Sequence, residues 1–165
     1  MKRLALSTLL VVVACGGNAI LPGGGPQRVA FRAISERQNA GLCMEGPAFD
    51  LALDQAAWRA LWLRHTSCQP EGSEPPPLLQ HEAGVVAWWK VAPCLGYGVR
   101  TASITATGTT ITIKAIETSP AAEFCAQAVG GLESFLALDG GTVRAAKHIR
   151  FVLNDREVGA IDVPA

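Results

Sequence analysis

Apolar and polar residues alternate along most of the chain after residue 28, and this period of two predicts β-strands. The clearest case is a hairpin over residues 97–119, in which threonine and serine alternate with alanine and isoleucine on both sides of Gly108. Ala102, Ile104 and Ala106 are predicted to share its apolar face. Further strands are predicted at residues 29–35, 84–91, 132–138, 148–153 and 156–163, and turns at 139–141 and at 154–155.

One segment has the period of a helix instead. Asp54 is a suitable N-cap, and residues 55–65 follow with good helix formers. A stripe at i, i+3, i+4 and i+7 predicts that this helix packs onto a sheet, although its two tryptophans could also form a binding platform. The stripe consists of Trp58, Leu61, Trp62 and His65.

These elements predict a mostly β (α+β) domain, in which an antiparallel sheet curls into a sandwich or partial barrel with one packed helix. Residues 84–91 carry Trp88 on one face and Trp89 on the other, so this strand is predicted to be central and covered on both sides. The last hairpin is predicted to turn at 154–155 and to pair Phe151 with Val158 and Ile149 with Ala160.

The start of the chain has the organisation of a secretion signal. Positive residues at positions 2 and 3 precede an apolar run over 4–13, which is too short to cross about 30 Å of hydrocarbon as an anchor. The run ends in Val12-Val13-Ala14-Cys15, the lipobox pattern of bacterial lipoproteins, although an ordinary secretion signal is the alternative. We therefore expect a signal peptide at 1–14, a lipidated Cys15, a flexible Gly/Pro-rich tether over 15–27 and a single domain over 28–165.

The cysteine count agrees with lipidation. Five cysteines leave an odd one in a secreted chain, and lipid on Cys15 leaves four for two disulfides. Folding the hairpin about Gly108 brings position 94 opposite position 122 or 123, so of the three possible pairings we predict Cys94–Cys125 and Cys43–Cys68.

Composition and motifs indicate a protein without catalytic chemistry. Motifs of nucleotide-binding, serine-hydrolase and zinc-protease sites are absent from the sequence, so we predict no enzyme, no catalytic residues, no cofactor and no metal site. The histidines at 65, 81 and 148 are single, and each is predicted to be a surface or half-packed residue. Loss of Lys2 and Arg3 with the signal takes the formal net charge from 0 to about −2, and no basic run remains that would indicate nucleic-acid binding.

One region resembles a known family. Ala87-Trp88-Trp89-Lys90, Pro93-Cys94-Leu95-Gly96-Tyr97-Gly98-Val99, the threonine-rich hairpin and Thr118-Ser119-Pro120 with Cys125 are similar to the PrcB C-terminal domain family. The resemblance covers about residues 49–138, and Cys94-Leu95 stand where the family often has Ser-Gly. It implies a non-catalytic envelope domain, in a family named for a subunit that stabilises a secreted subtilisin-like protease complex.

The expected partners follow from these features. Acyl chains such as palmitate on Cys15 would bind the membrane, and Gly16 in place of aspartate favours the outer membrane or the cell surface after export across the inner membrane. A second envelope protein, such as a protease, is the expected binding partner. Alternatives are a loop-wedge protease inhibitor of the chagasin kind and a small-ligand binder that stacks its ligand on Trp88 or Trp89. The candidate binding residues are Trp89, Pro93, Gly96, Tyr97 and Gly98.

Overall fold

Two β-sheets pack face to face, and a helix covers the outer face of one of them. The computed structural model describes residues 25–38, 48–66, 75–94, 96–119 and 130–165. In chain order the elements are β1 Gln27–Arg28, β2 Phe31–Gln38, β3 Ala48–Ala52, α1 Gln55–Thr66, β4 Glu82–Val91, β5 Gly98–Thr107, β6 Thr110–Thr118, β7 Gly131–Asp139, α2 Gly140–Ala145, β8 His148–Leu153 and β9 Arg156–Asp162.

The predicted fold class is confirmed: the described part of the chain is mostly β, with two sheets and one long helix. The first sheet has the order β1-β5-β6-β8-β9, and the second has the order β2-β7-β4-β3. The prediction of purely antiparallel pairing is wrong for one pair, because β6 and β8 are parallel. In the sequence, β7 lies between β6 and β8, but it belongs to the second sheet. The chain therefore crosses to the second sheet and back, which is the kind of connection that parallel strands need.

The β5–β6 hairpin turns at Gly108, whose φ of 56° suits glycine. A bulge lies between Thr101 and Ser103, and it changes which side chains face inward. Ala102 is therefore exposed and Thr101 buried, so the prediction that Ala102 shares the apolar face of Ile104 is wrong. The backbone nitrogen of Thr101 donates to Glu36 Oε1 at 2.6 Å, which joins the two sheets along one side.

The last hairpin turns at Asn154 and Asp155 as predicted, with positive φ of 49° and 63° at the two residues. The predicted register holds for the two pairs next to the turn, Leu153 with Arg156 and Val152 with Glu157, and then shifts by one residue at a bulge. Phe151 therefore lies opposite Gly159 instead of Val158, and Ile149 opposite Ile161 instead of Ala160.

An aromatic cluster explains this shift. Phe49 from β3 stacks on Phe151 from β8, with ring centroids 4.2 Å apart. A Cβ at position 159 would lie 2.3 Å from Cε2 of Phe49, so only glycine fits beneath that ring. The bulge places Gly159 against the ring of Phe49, where the edge strand β3 of the second sheet contacts the edge strand β9 of the first.

The helix α1 forms as predicted. Asp54 caps it, since Asp54 Oδ1 accepts from the backbone nitrogen of Ala57 at 2.8 Å. Trp58 and Leu61 are buried against β4 and β7, and the Trp58 indole nitrogen donates to the Pro77 carbonyl at 3.0 Å. The stripe thus packs onto the sheet, and β4 is the central, doubly covered strand that its two tryptophans predicted.

Three local predictions need correction. The strand β3 was not predicted, because five residues with one charged side chain give a weak alternation. The predicted turn at 139–141 is the start of α2, where Asp139 Oδ1 accepts from the backbone nitrogen of Thr142 at 2.8 Å. The strand predicted at 29–35 is divided at Val29 and Ala30, where the chain passes from β1 in the first sheet to β2 in the second.

The sandwich has two different ends. We call the end with the Gly108 turn, the start of α1 and α2 the closed end. The other end carries the loop between β4 and β5 and the 154–155 turn, and we call it the open end.

Candidate functional site

The sequence-predicted binding loop lies at the open end. Pro93 and Gly96 are exposed, and Gly96 has a φ of 92° that suits glycine. Tyr97 is half-buried against the core between the sheets, and Gly98 begins β5 opposite Thr118. The structure therefore brings four of the candidate residues together on one loop, and Tyr97 serves partly as a cover for the core.

Trp89 does not join this loop. Its side chain is buried between the sheets, in edge contact with the rings of Phe49 and Phe151 at centroid distances of 5.9 Å. The indole nitrogen of Trp89 donates to Ser134 Oγ at 2.9 Å. Trp88 is buried as well, so neither indole presents a face to which a ligand could bind.

Cys94 is buried in the same loop and is disulfide-bonded. Residues Cys15, Cys43, Cys68 and Cys125 lie outside the described residues, as do the signal peptide and most of the tether. The pairings Cys94–Cys125 and Cys43–Cys68, and the lipid on Cys15, therefore stay predictions. The bond at Cys94 still fixes the loop from the side of β4.

The buried charged cluster around His65 was not predicted. Nδ1 of His65 lies 2.6 Å from Glu133 Oε1 on β7, and Nε2 lies 3.1 Å from Asp50 Oδ2 on β3. Asp50 also accepts from Arg64 at 3.2 and 3.3 Å. The side chains of His65 and Glu133 are both 0% exposed, so the prediction of a surface or half-packed His65 is wrong.

The arrangement fits a protonated imidazole. Only the imidazolium has two N–H donors, and each ring nitrogen of His65 faces a carboxylate oxygen. Burial by itself lowers the pKa of His65, but the hydrogen bonds and negative charges of Glu133 and Asp50 outweigh it and raise the pKa above its usual value. The cation therefore links the end of α1 to two strands of the second sheet.

This linkage predicts a dependence of stability on pH. Between the ordinary histidine pKa and the raised pKa of His65, the folded state binds more protons than the unfolded state. The contribution of His65 to stability is therefore fully present below about pH 6.5 and is lost as the pH rises through the raised pKa. Urea unfolding from pH 6 to pH 9 should show wild type losing stability relative to His65→Gln. A constant difference between the two proteins would contradict the assignment of the cation.

The His65 cluster is arranged to hold α1 on the sheet, and its side chains are not arranged as metal ligands. Both ring nitrogens of His65 are already occupied by carboxylates, so the side chains do not converge on a common point. Within the described ranges, no group of three or more histidine, cysteine or acidic residues is placed to hold a metal ion. None of the helices described there is long and apolar enough to cross a membrane.

Two neighbouring clefts lie at the closed end. The larger has a volume of about 550 Å³ and is lined by Arg32, Leu78, Gln80, His81 and Glu82. The smaller, of about 270 Å³, is lined by Leu53, Asp54, Gln55, Leu79, Gln80, His81, Glu82 and Arg144. Their arginines are occupied within the fold, since Arg32 donates to Glu82 at 2.7 Å and Arg144 to the Leu53 carbonyl at 2.6 Å. The clefts therefore present no unpaired arginine to an anion.

Comparison with known proteins does not extend this assignment. No protein-family model, curated protein or solved structure matches the chain. The resemblance of residues 49–138 to the PrcB C-terminal domain family therefore stays a prediction from the sequence.

Proposed function

We propose that the chain is a lipid-anchored, non-catalytic protein of the bacterial cell envelope that binds a second envelope protein through its open end. The observation that carries the proposal is the lipobox Val12-Val13-Ala14-Cys15, followed by a Gly/Pro-rich tether. The odd number of cysteines supports it, because lipid on Cys15 leaves an even number for disulfides.

The open end supports the binding role. Val91 at the end of β4 is 58% exposed, and Pro93 and Gly96 in the loop that follows are exposed as well. The loop is held from both sides, by the disulfide at Cys94 and by the pairing of Gly98 with Thr118. Residues that are fixed before binding, as Cys94 and Gly98 are, lose little conformational entropy when a partner docks. We define the open-end surface as Val91, Pro93, Gly96 and Tyr97.

The titratable groups support a non-catalytic role. His65 and Glu133 form the most enclosed charged pair that the described residues contain, and both side chains are 0% exposed. A catalytic acid or base must reach the proton that it transfers, directly or through one water molecule. The pair is better suited to fixing α1 on the sheet than to reaching a substrate.

A crosslinked pull-down from native membranes tests this proposal. We expect wild type to recover one enriched envelope protein. With Val91→Asp the recovered amount of that protein should fall at least about tenfold, because the introduced carboxylate would be desolvated in the contact. Leu63→Asp is the matched control, because Leu63 is 56% exposed on the outer side of α1. Equal recovery with Val91→Asp, or no enriched protein with wild type, would contradict the proposal.

A protease is the partner that the resemblance favours. If the recovered protein is a protease, its activity separates the two remaining functions. A stabilising subunit should leave peptide hydrolysis intact and prolong the life of the enzyme, whereas a loop-wedge inhibitor should abolish hydrolysis at saturating concentration.

A further inference from the structure

The first strand fixes where the anchor joins the domain. Gln27 lies opposite Ala106 and Arg28 opposite Thr105, and the backbone nitrogen of Val29 donates to the Ile104 carbonyl at 3.0 Å. The strand β1 therefore runs from the closed end toward the open end. The direction of β1 therefore brings the chain into the domain from the side of the Gly108 turn.

The open end is separated from the closed end by about the length of strand β6. The strand β6 runs from Thr110 at the closed end to Thr118 at the open end, which is about 27 Å at the usual rise per residue. The loop of residues 93–98 lies level with the end of β6, since Gly98 pairs with Thr118.

The length of the connecting chain then limits the orientation. Gly25 lies ten residue steps after Cys15 in the sequence, and a Gly-rich chain of that length has a mean span of about 17 Å and spans at most about 35 Å when fully extended. To bring the open end to the lipid surface, the chain would have to run back along about 27 Å of the sandwich. That path takes about three quarters of the maximum length of the chain, well above its mean span, and therefore costs conformational entropy. An orientation with the closed end toward the lipid does not require this stretching.

We propose that the closed end of the sandwich faces the lipid surface and that the open-end surface points away from it. This orientation rests on the proposed lipid anchor at Cys15. The two clefts beside Leu78 and His81 then face the headgroups. A partner that approaches from the surrounding compartment meets the loop of residues 93–98 first.

Energy transfer from the two ends of β6 tests the orientation. The full lipidated protein carries a fluorescent amino acid either at Thr109 or at Ser119, both of which are exposed. It is reconstituted into phosphatidylethanolamine and phosphatidylglycerol vesicles with rhodamine-labelled headgroups. We expect transfer from position 109 to be at least about twofold greater than from position 119, because about 30 Å of strand separates the labels.

A longer tether is the control. Twenty Gly/Ser residues inserted after Gly24 should reduce the difference between the two labels, because the longer chain allows the domain to rotate. Equal transfer from the two positions of the unmodified tether, or greater transfer from 119, would overturn the orientation while leaving the anchor intact. Failure of the protein to bind the vesicles would overturn both.

Discussion

Replacing His65 by leucine is expected to lower the free energy of unfolding by about 3–5 kcal/mol. The substitution removes the cation that lies 2.6 Å from Oε1 of the fully buried Glu133, and removal of one partner of a buried ion pair is among the most costly changes in a folded protein. Asp50 is affected less, since its side chain is 26% exposed and also accepts from Arg64. Urea unfolding monitored by tryptophan fluorescence measures the difference.

The chain offers a matched control for this prediction. His148 pairs with Asp162 at 2.7 Å, but their side chains are 53% and 88% exposed, so His148→Leu should change stability by less than about 1 kcal/mol. The double variant His65→Leu/Glu133→Leu should recover much of the loss, because apolar side chains can replace a buried ion pair. Equal effects at His65 and His148 would show that the buried pair does not hold α1 on the sheet.

The second large effect is expected at Cys15. Cys15→Ala should remove the protein from the membrane fraction, because no sulfur remains to carry lipid, and each buried CH₂ of an acyl chain contributes about 0.8 kcal/mol to binding. Thermal unfolding of the domain should not change, since the predicted Gly/Pro-rich tether separates Cys15 from the first strand, which begins at Gln27. Membrane fractionation after a high-salt wash, together with circular dichroism, measures both quantities.

The precursor needs its own control. An uncleaved signal could retain Cys15→Ala weakly at the membrane through residues 4–14. A second variant therefore carries an ordinary cleavable secretion signal directly before Gly16, and Gly16→Ala keeps the cysteine as the matched control. We expect the second variant to be soluble and Gly16→Ala to remain in the membrane. Retention of the second variant after the wash would exclude lipid as the anchor.

The sequence predicted the hairpins because their signals are local. Gly108 and Asn154-Asp155 are turn residues with positive φ, and the flanking alternation fixes which strands pair. It did not predict the bulges at Ala102 and Val158, which depend on other segments. The first lies where Glu36 binds the backbone of Thr101, and the second follows from the ring of Phe49. Contacts of this kind have no signature in the strand that they displace.

The His65 cluster shows the same limit for the candidate site. The helix stripe predicted that His65 faces the sheet, but its partner Glu133 is 68 residues away in the sequence. A usable signal was present: Glu133 lies between Leu132 and Phe135 in a strand buried on both faces, and a buried carboxylate needs a partner. His65 is the one basic residue of the apolar stripe, so combining the two observations would have predicted the pair.

The intact mass of the mature protein purified from bacterial membranes tests the central claim most directly. The account predicts a chain that begins at Cys15, with an added mass equal to a diacylglyceryl group and an N-terminal acyl chain. Alkaline hydrolysis of the two ester-linked chains should release two fatty acids, so that the mass of the protein falls by the mass of both acids less that of two water molecules. A mature chain that carries Cys15 unmodified, or one that begins elsewhere, would contradict the account.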